Sequence, residues 1–288
     1  MRIDAHQHVW TEPLVAALAR RTSAPRVLRS DGGWWLEVSG EAPSLLPAAP
    51  DDAEARSALV HEDGVGRALV APSTALGLAS LARDEARMLA DAYDEGVRGL
   101  PDAFGSWAAD VEALQAPGHV GLCLPADALG SPAALDGLGP VLETLERLDL
   151  PLFVHPVAHA TADAPAWWPA LTGYVASLHA AWHAWIAVGR AAHPRLRVLF
   201  AALAGLAPLH AERLAARGGQ ADAVHDPLVL YDTSSYGPAA LSAMRAAVGP
   251  DALVHGSDRP YAEPPPSTER EATVNAARML TGARKEAA

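Results

Sequence analysis

Two histidines and one aspartate, at opposite ends of the chain, have the residue types and spacing of metal ligands. His6 and His8 are separated by one residue near the start of the 288-residue sequence, and Asp258 lies near its other end. Residues two apart in a β-strand point to the same face, so both imidazoles can chelate one cation. A strand leading into Asp258 could add a carboxylate if the sheet closed into a barrel. The pattern predicts a metal-dependent enzyme.

A third imidazole, His155, ends the apolar run Leu152–His155, which has the character of a strand. Three imidazoles and a carboxylate suit a borderline divalent ion, first of all Zn²⁺, with Mn²⁺ or Fe²⁺ as alternatives. Such an ion would lower the pKa of a bound water toward ~7. We predict one divalent ion held by His6, His8, His155 and Asp258, with His155 and Asp258 also catalytic. The alternative is that the two N-terminal histidines only occupy a polar barrel end.

Eight short apolar runs alternate with helical patterns and would position these residues. The predicted strands are Arg2–His6, Arg67–Ala71, Phe104–Ala108, Val120–Leu124, Leu152–His155, Arg197–Ala201, Val229–Asp232 and Leu253–Ser257. The predicted helices are Asp51–Asp63, Arg83–Gly96, Ala109–Gln115, Pro132–Asp149, Trp168–Ala192, Pro208–Arg217, Pro238–Val248 and Ser267–Leu280. This alternation predicts a parallel sheet, and eight units predict an α/β fold with a closed (β/α)8 barrel as a single domain over residues 1–288. The candidate ligands fall at carboxyl ends of strands, where barrel enzymes carry their active sites.

Two stretches interrupt this alternation. Within residues 22–50, the segments Arg26–Ser30 and Trp34–Ser39 flank Asp31-Gly32-Gly33 and predict a β-hairpin flap over the barrel mouth. The long stretch 156–167 is predicted to build the substrate pocket. The last residues, 284–288, are predicted to be frayed.

Composition excludes several classes of function. A net charge of −12 argues against nucleic-acid and anionic-membrane partners. No apolar run reaches the ~18 residues of a transmembrane helix, and the first strand begins without room for a signal peptide. We therefore expect a soluble, cytoplasmic protein. The single cysteine, Cys123, excludes an internal disulfide, and the single lysine, Lys285, argues against lysine-based chemistry.

Four segments resemble the amidohydrolase superfamily, specifically its second large branch of metal-dependent hydrolases and non-oxidative decarboxylases. They are Ile3-Asp4-Ala5-His6-Gln7-His8, Leu152-Phe153-Val154-His155-Pro156, Asp232-Thr233-Ser234-Ser235-Tyr236-Gly237 and His255-Gly256-Ser257-Asp258-Arg259-Pro260. The resemblance spans essentially the whole chain and implies a distorted (β/α)8 barrel with one metal on the four predicted ligands. The superfamily commonly has a histidine after strand six, where this chain has Ala202. Another group could replace it, the chemistry could differ, or the protein could be weakly active.

Other side chains have two interpretations each. Arg259 could bind a substrate carboxylate or form a structural ion pair. Tyr236 could donate a hydrogen bond to substrate, and Trp34 and Trp167 could line an aromatic pocket or pack the flap. His210 could replace the absent histidine or lie on a helix surface. His179 and His183 could form a second metal site or line a helix–helix contact. Cys123 could be a metal ligand or a buried thiol.

The predicted activity is hydrolysis of an amide, cyclic amide or lactone in a small, ring-containing substrate. Non-oxidative decarboxylation of an aromatic or unsaturated acid is the alternative within the same pocket. A weakly active or non-catalytic barrel that binds a small molecule is the third possibility. The expected partners are a small-molecule substrate and, in a homodimer, a second copy of the chain.

Overall fold

The computed structural model of the protein describes residues 1–30, 32–38, 43–46, 51–115, 117–157, 164–165 and 167–282. Its strands, in chain order, are β1 (Ile3–Gln7), β2 (Arg26–Ser30), β3 (Gly33–Glu37), β4 (Ser44–Leu46), β5 (Arg67–Val70), β6 (Phe104–Ala108), β7 (His119–Pro125), β8 (Leu152–His155), β9 (Val198–Phe200), β10 (Val229–Asp232) and β11 (Leu253–Val254). Eight of them form one parallel sheet in the order β1-β5-β6-β7-β8-β9-β10-β11. The predicted barrel is confirmed.

The first and last barrel strands approach each other, which nearly closes the sheet. The amide of Ala5 donates to the carbonyl of His255 at 2.8 Å, and the amide of Asp258 donates to the carbonyl of His6 at 2.8 Å. Gln7 and Arg259 form a parallel bridge. Strands such as β8 and β10 are buried along their whole length, as expected when both faces of a sheet are covered. The chain ends that carry the candidate ligands therefore meet.

The helices cover the barrel. They are α1 (Glu12–Ala19), α2 (Ala53–Glu62), α3 (Arg83–Arg98), α4 (Pro132–Gly137), α5 (Gly139–Leu148), α6 (Trp168–Leu171), α7 (Gly173–Ala184), α8 (Arg190–Ala192), α9 (Ala211–Ala215), α10 (Pro238–Val248) and α11 (Ala276–Thr281). Asp52 caps α2 by accepting from the amides of Glu54 and Ala55. None of the described helices combines the length and apolar character that crossing a bilayer requires.

Several predicted bounds were wrong. The helix α1 was not predicted, and the helix expected over Ala109–Gln115 is only a 3₁₀ turn over Ala113–Gln115. The strand expected to reach Ser257 ends at Val254, because the chain leaves the sheet to bring Asp258 over the barrel. The predicted helix Pro132–Asp149 is divided at Leu138 into α4 and α5.

The predicted flap is present and contains a third strand. β2, β3 and β4 form a separate antiparallel sheet in which Arg29 pairs with Trp34 and Trp34 pairs with Leu46. Leu46 is buried, so this side of the sheet packs inward. The predicted turn residue Asp31, the strand end Ser39, part of the loop 156–167 and the tail 284–288 lie outside the described residues.

Candidate metal centre

Three buried imidazoles converge at the carboxyl ends of β1 and β8. The ring centroids of His6, His8 and His155 are 5.0 Å, 5.0 Å and 5.1 Å apart. Nε2 of His6 lies 3.1 Å from Nε2 of His8. One ligand atom from each of the three lies within 4.8 Å of the others, and no other group of this kind occurs in the described residues. His6 in β1 and His8 directly after it thus direct their rings to one point, as the sequence predicted.

The outer nitrogen of each ring has a hydrogen-bond partner that fixes its proton. Nδ1 of His6 lies 2.7 Å from Oδ2 of Asp232, and Nδ1 of His8 lies 3.0 Å from the carbonyl of Ala71. Nδ1 of His155 lies 2.7 Å from Oγ1 of Thr74. Ionised carboxylates and carbonyls only accept, so the first two rings donate from Nδ1 and turn Nε2 inward.

When both rings are neutral, the Nε2 lone pairs of His6 and His8 face each other at 3.1 Å and repel unless a proton or a metal ion lies between them. Three imidazole nitrogens from buried rings are the donor set that borderline divalent metals prefer. Metal-binding histidines characteristically donate their other N–H to a carboxylate or a carbonyl, as His6 and His8 do here. The residues present therefore fit a divalent metal ion.

Asp258 supplies a carboxylate beside the three rings. Its Oδ1 lies 3.5 Å from Nε2 of His6 and 3.3 Å from Nε2 of His8. The backbone of Asp258 has a φ of 62°, a left-handed conformation that non-glycine residues adopt mainly where surrounding contacts enforce it. Its side chain is 22% exposed, whereas the imidazoles of His6 and His8 are at most 5% exposed. The carboxylate therefore stands between the buried rings and solvent.

The charges of the site shift several pKa values. Burial lowers the pKa of His6, but Asp232 and Asp258 outweigh it and raise that pKa to about 9. Burial and the neighbouring rings of His6 and His8 lower the pKa of His155 well below its ordinary value. Burial alone would raise the pKa of both aspartates, but the imidazoles outweigh it and lower them. At neutral pH both carboxylates are ionised, so the cluster attracts a cation.

A layer of buried polar side chains that the sequence did not single out holds the first strand in place. Oδ1 of Asp4 accepts from the amides of His6 (3.1 Å) and Ser257 (3.0 Å), which ties β1 to the segment before Asp258. Arg56 donates to the carbonyl of His8 at 3.1 Å. The only signals for these residues in the sequence were their charges inside predicted core segments.

No protein-family model matches the sequence, and no curated protein matches it. Solved structures match over nearly the full length. IDCase from Metarhizium anisopliae has a TM-score of 0.74 at 17% identity, covering 98% of this chain and 95% of that one. An amidohydrolase II has a TM-score of 0.70 at 18% identity, covering 98% of this chain and 100% of that one. A 5-carboxyvanillate decarboxylase from Novosphingobium aromaticivorans has a TM-score of 0.66 at 16% identity, covering 99% of this chain and 91% of that one. That structure is complexed with manganese and 4-hydroxy-3-methoxy-5-nitrobenzoic acid.

The barrel fold of this protein is the one that these solved structures share. Identities this low establish the fold alone, and they confirm the predicted resemblance at that level.

The barrel has an unusual segment after β9, where the chain has Ala202 instead of the histidine that the resemblance led us to expect. Positive φ values between 45° and 68° run through Ala202, Leu203, Ala204, Gly205 and Leu206. Four of these are not glycine, and each costs roughly 1–2 kcal/mol in a left-handed conformation. The amide of Ala202 faces Oδ2 of Asp232 at 3.4 Å. The segment thus contacts the partner of His6 through its backbone, while the Ala202 methyl group offers no acid or base.

Arg259 forms the ion pair that was the alternative to substrate binding. Its guanidinium donates from Nε and Nη2 to the two carboxylate oxygens of Asp63, at 2.7 Å and 3.0 Å. Nη2 also lies 3.2 Å from Glu263. These contacts join the segment after Asp258 to α2. A role in substrate binding stays a prediction, and the observed contacts engage the guanidinium elsewhere.

The predicted aromatic residues are placed unequally. Tyr236 is half-buried and packs against the core, and burial raises the pKa of its phenol. Trp34 packs against the core under the flap sheet, with the guanidinium of Arg29 5.8 Å from its ring centroid. Trp167 is 56% exposed and lies beside Trp168. Substrate contacts from Tyr236, Trp34 and Trp167 stay predictions.

Tyr261 is a candidate pocket residue that the sequence analysis missed. Its ring centroid is 5.6 Å from that of His8, and its hydroxyl oxygen accepts from Nε1 of Trp10 at 2.8 Å. It keeps 49% of its surface exposed, yet surrounding protein raises the pKa of its phenol. Its ring beside His8 and its exposed surface make Tyr261 a candidate for contact with a substrate. The position three residues after Asp258 was the signal that could have identified it.

Two of the described histidines outside the three converging rings, His179 and His210, contact each other. His179 contacts the carbonyl of Gly205 through Nε2 at 2.7 Å, which fits the predicted structural contact. His210 is exposed, with its ring centroid 5.3 Å from that of His179. Cys123 is buried, and burial raises the pKa of its thiol.

Proposed function

We propose that the protein is a metal-dependent, non-oxidative decarboxylase of an aromatic or unsaturated acid. The observation that carries the proposal is the convergence of three buried imidazoles, each with one ring nitrogen within 4.8 Å of the others, beside Asp258. The matched structure of a 5-carboxyvanillate decarboxylase holds manganese and a benzoic acid, which favours decarboxylation over the hydrolysis that we expected first. Either activity would use the same ligands.

His6, His8, His155 and Asp258 would hold one divalent ion. When bound, such an ion supplies positive charge that orients an anionic substrate and stabilises negative charge developing on it. Mn²⁺ is the ion in one matched structure, and Zn²⁺ stays the prediction from donor types alone. The backbone contacts of Asp4 and Arg56 would keep the ligands in register.

In decarboxylation the bond between the carboxyl carbon and the ring carbon breaks, and its electron pair stays on the ring carbon. That carbon then takes up one proton. We assign this proton transfer to Asp258, whose partly exposed carboxylate can take a proton from solvent and deliver it there. Tyr261, whose hydroxyl accepts from Trp10, keeps its own proton available for an oxygen of the substrate.

Hydrolysis of an amide or lactone is the second candidate, because an amidohydrolase II has the same fold. One assay separates the two. The purified protein, loaded with Mn²⁺ or Zn²⁺, is given hydroxylated benzoic acids and, in parallel, aromatic amides and lactones in ¹⁸O-water, and CO₂ release and ¹⁸O in the organic product are measured. We expect CO₂ with no ¹⁸O in the product, and loss of turnover in His6→Ala and Asp258→Asn. Solvent oxygen in a cleaved amide or lactone would favour hydrolysis, and undiminished turnover in either variant would refute the assigned roles.

A further inference from the structure

Thr74 joins two loops at the mouth of the barrel. It lies in the turn after β5, and its Oγ1 is 2.7 Å from Nδ1 of His155, a residue 81 positions away at the end of β8. The same Oγ1 is 2.7 Å from the carbonyl oxygen of Pro156. This side chain therefore contacts the third imidazole on the side opposite to the proposed metal.

The direction of these two hydrogen bonds follows from the chemistry of the groups. A threonine hydroxyl has one proton, and a carbonyl oxygen can only accept, so Thr74 donates to Pro156. Its oxygen is then left to accept from Nδ1–H of His155. A neutral imidazole with its proton on Nδ1 has its lone pair on Nε2, which is then the nitrogen that can bind a metal ion.

We propose that Thr74 is a positioning residue that holds His155 in its Nδ1–H form and thereby sets the metal affinity of the centre. The inference rests on the proposed function, because it presupposes a metal on His155. The corresponding partners of His6 and His8 are the buried carboxylate of Asp232 and a backbone carbonyl. Nδ1 of His155 also lies 3.0 Å from the carbonyl of Pro156, so the experiment must separate the hydroxyl from that contact.

Three variants separate the effect of the Thr74 hydroxyl from that of the Pro156 carbonyl. Thr74→Val keeps the shape and removes the hydroxyl, and Thr74→Ser keeps the hydroxyl. Thr144→Val is the matched control, because Thr144 in α5 likewise donates to a proline carbonyl, that of Pro140 at 2.9 Å, in an exposed hydrogen bond. Long-range ¹H–¹⁵N spectra of the metal-free protein report the tautomer of His155, and calorimetric titration with Mn²⁺ reports the affinity.

We expect the Nε2–H form of His155 to appear in Thr74→Val and its dissociation constant for Mn²⁺ to rise about 10–100-fold. Thr74→Ser and Thr144→Val should stay close to wild type in both measurements. A wild-type tautomer and affinity in Thr74→Val would overturn the inference. If the wild-type protein binds no Mn²⁺, the proposed function fails, while the tautomer comparison still decides the role of Thr74. Thr74→Ala answers the same question if the valine variant does not fold.

Discussion

Oδ2 of Asp232 lies 2.7 Å from Nδ1 of His6, and both side chains are at most 2% exposed. The carboxylate also accepts from the amide and the hydroxyl of Ser234. It stands on the far side of the imidazole from the proposed metal, so its charge makes Nε2 a stronger donor. This pair connects the end of β10 to the first ligand of the centre.

Replacing Asp232 by asparagine should weaken metal binding without removing a ligand. The amide keeps the size of the side chain but loses the negative charge that faces His6, so we expect the dissociation constant for Mn²⁺ to rise about 10–100-fold. Calorimetric titration measures this. Asp226→Asn is the control, because Asp226 pairs with Arg190 away from the site. Equal affinities in the two variants would contradict the role assigned to Asp232.

The metal-free protein should lose stability as the solution becomes alkaline. The pKa of His6 is raised from 6.5 to about 9 in the folded protein, chiefly by Asp232 and Asp258 against the opposing effect of burial. Protonated His6 therefore contributes stability that is fully present below pH 6.5 and is lost as pH rises through about 9. Urea unfolding of the protein, freed of metal with a chelator, should show the free energy of unfolding decline across this pH range.

The same decline should be smaller in Asp232→Asn, since the main cause of the raised pKa is gone. A flat profile in the wild-type protein between pH 6.5 and 9 would show that His6 is neutral in the metal-free state.

Adding a methyl group at Gly256 should disturb the metal centre by displacing the carboxylate of Asp232. A Cβ there would lie 1.9 Å from Oδ1 of Asp232 and 3.0 Å from Cβ of His6, so the carboxylate would have to move. We expect Gly256→Ala to lower the free energy of unfolding by about 1–3 kcal/mol and to weaken Mn²⁺ binding. Gly139→Ala is the control, because nothing lies within 4 Å of its added carbon. Wild-type affinity in Gly256→Ala would show that Asp232 can shift without consequence.

Arg259→Gln tests whether this arginine holds structure or substrate. The variant removes both hydrogen bonds to Asp63, and we expect a loss of about 1–3 kcal/mol in the free energy of unfolding with an unchanged KM. Asp63→Asn should destabilise the protein similarly. A large rise in KM confined to Arg259→Gln would restore the substrate-binding interpretation.

Much of the barrel could be predicted from sequence because its strands are short buried runs with their own periodicity. The convergence of His6 and His8 also followed from local geometry, because residues two apart in an extended chain point to the same face. The partners Asp232 and Thr74 could not be assigned in this way. Their contacts join residues 226 and 81 positions apart, and each depends on loop paths that leave no local pattern.

The segment after β9 shows a second limit. Ala202 and Leu203 have no intrinsic preference for positive φ, and helical propensity alone favoured a right-handed continuation. Tertiary contacts, among them His179 to the carbonyl of Gly205, override that preference. The absence of a titratable group at Ala202 was visible in the sequence, whereas the backbone conformation was not.

The most direct test of the metal centre is the number of ions bound per chain. The chelated protein is incubated with Mn²⁺, freed of excess ion, and analysed for metal and protein together, alongside His155→Ala and the control His210→Ala. We expect one ion per chain in the wild-type protein and in His210→Ala, and almost none in His155→Ala. A wild-type protein that binds no ion, or a His155→Ala variant that binds as many ions per chain as the wild type, would contradict a cation held between the three imidazoles.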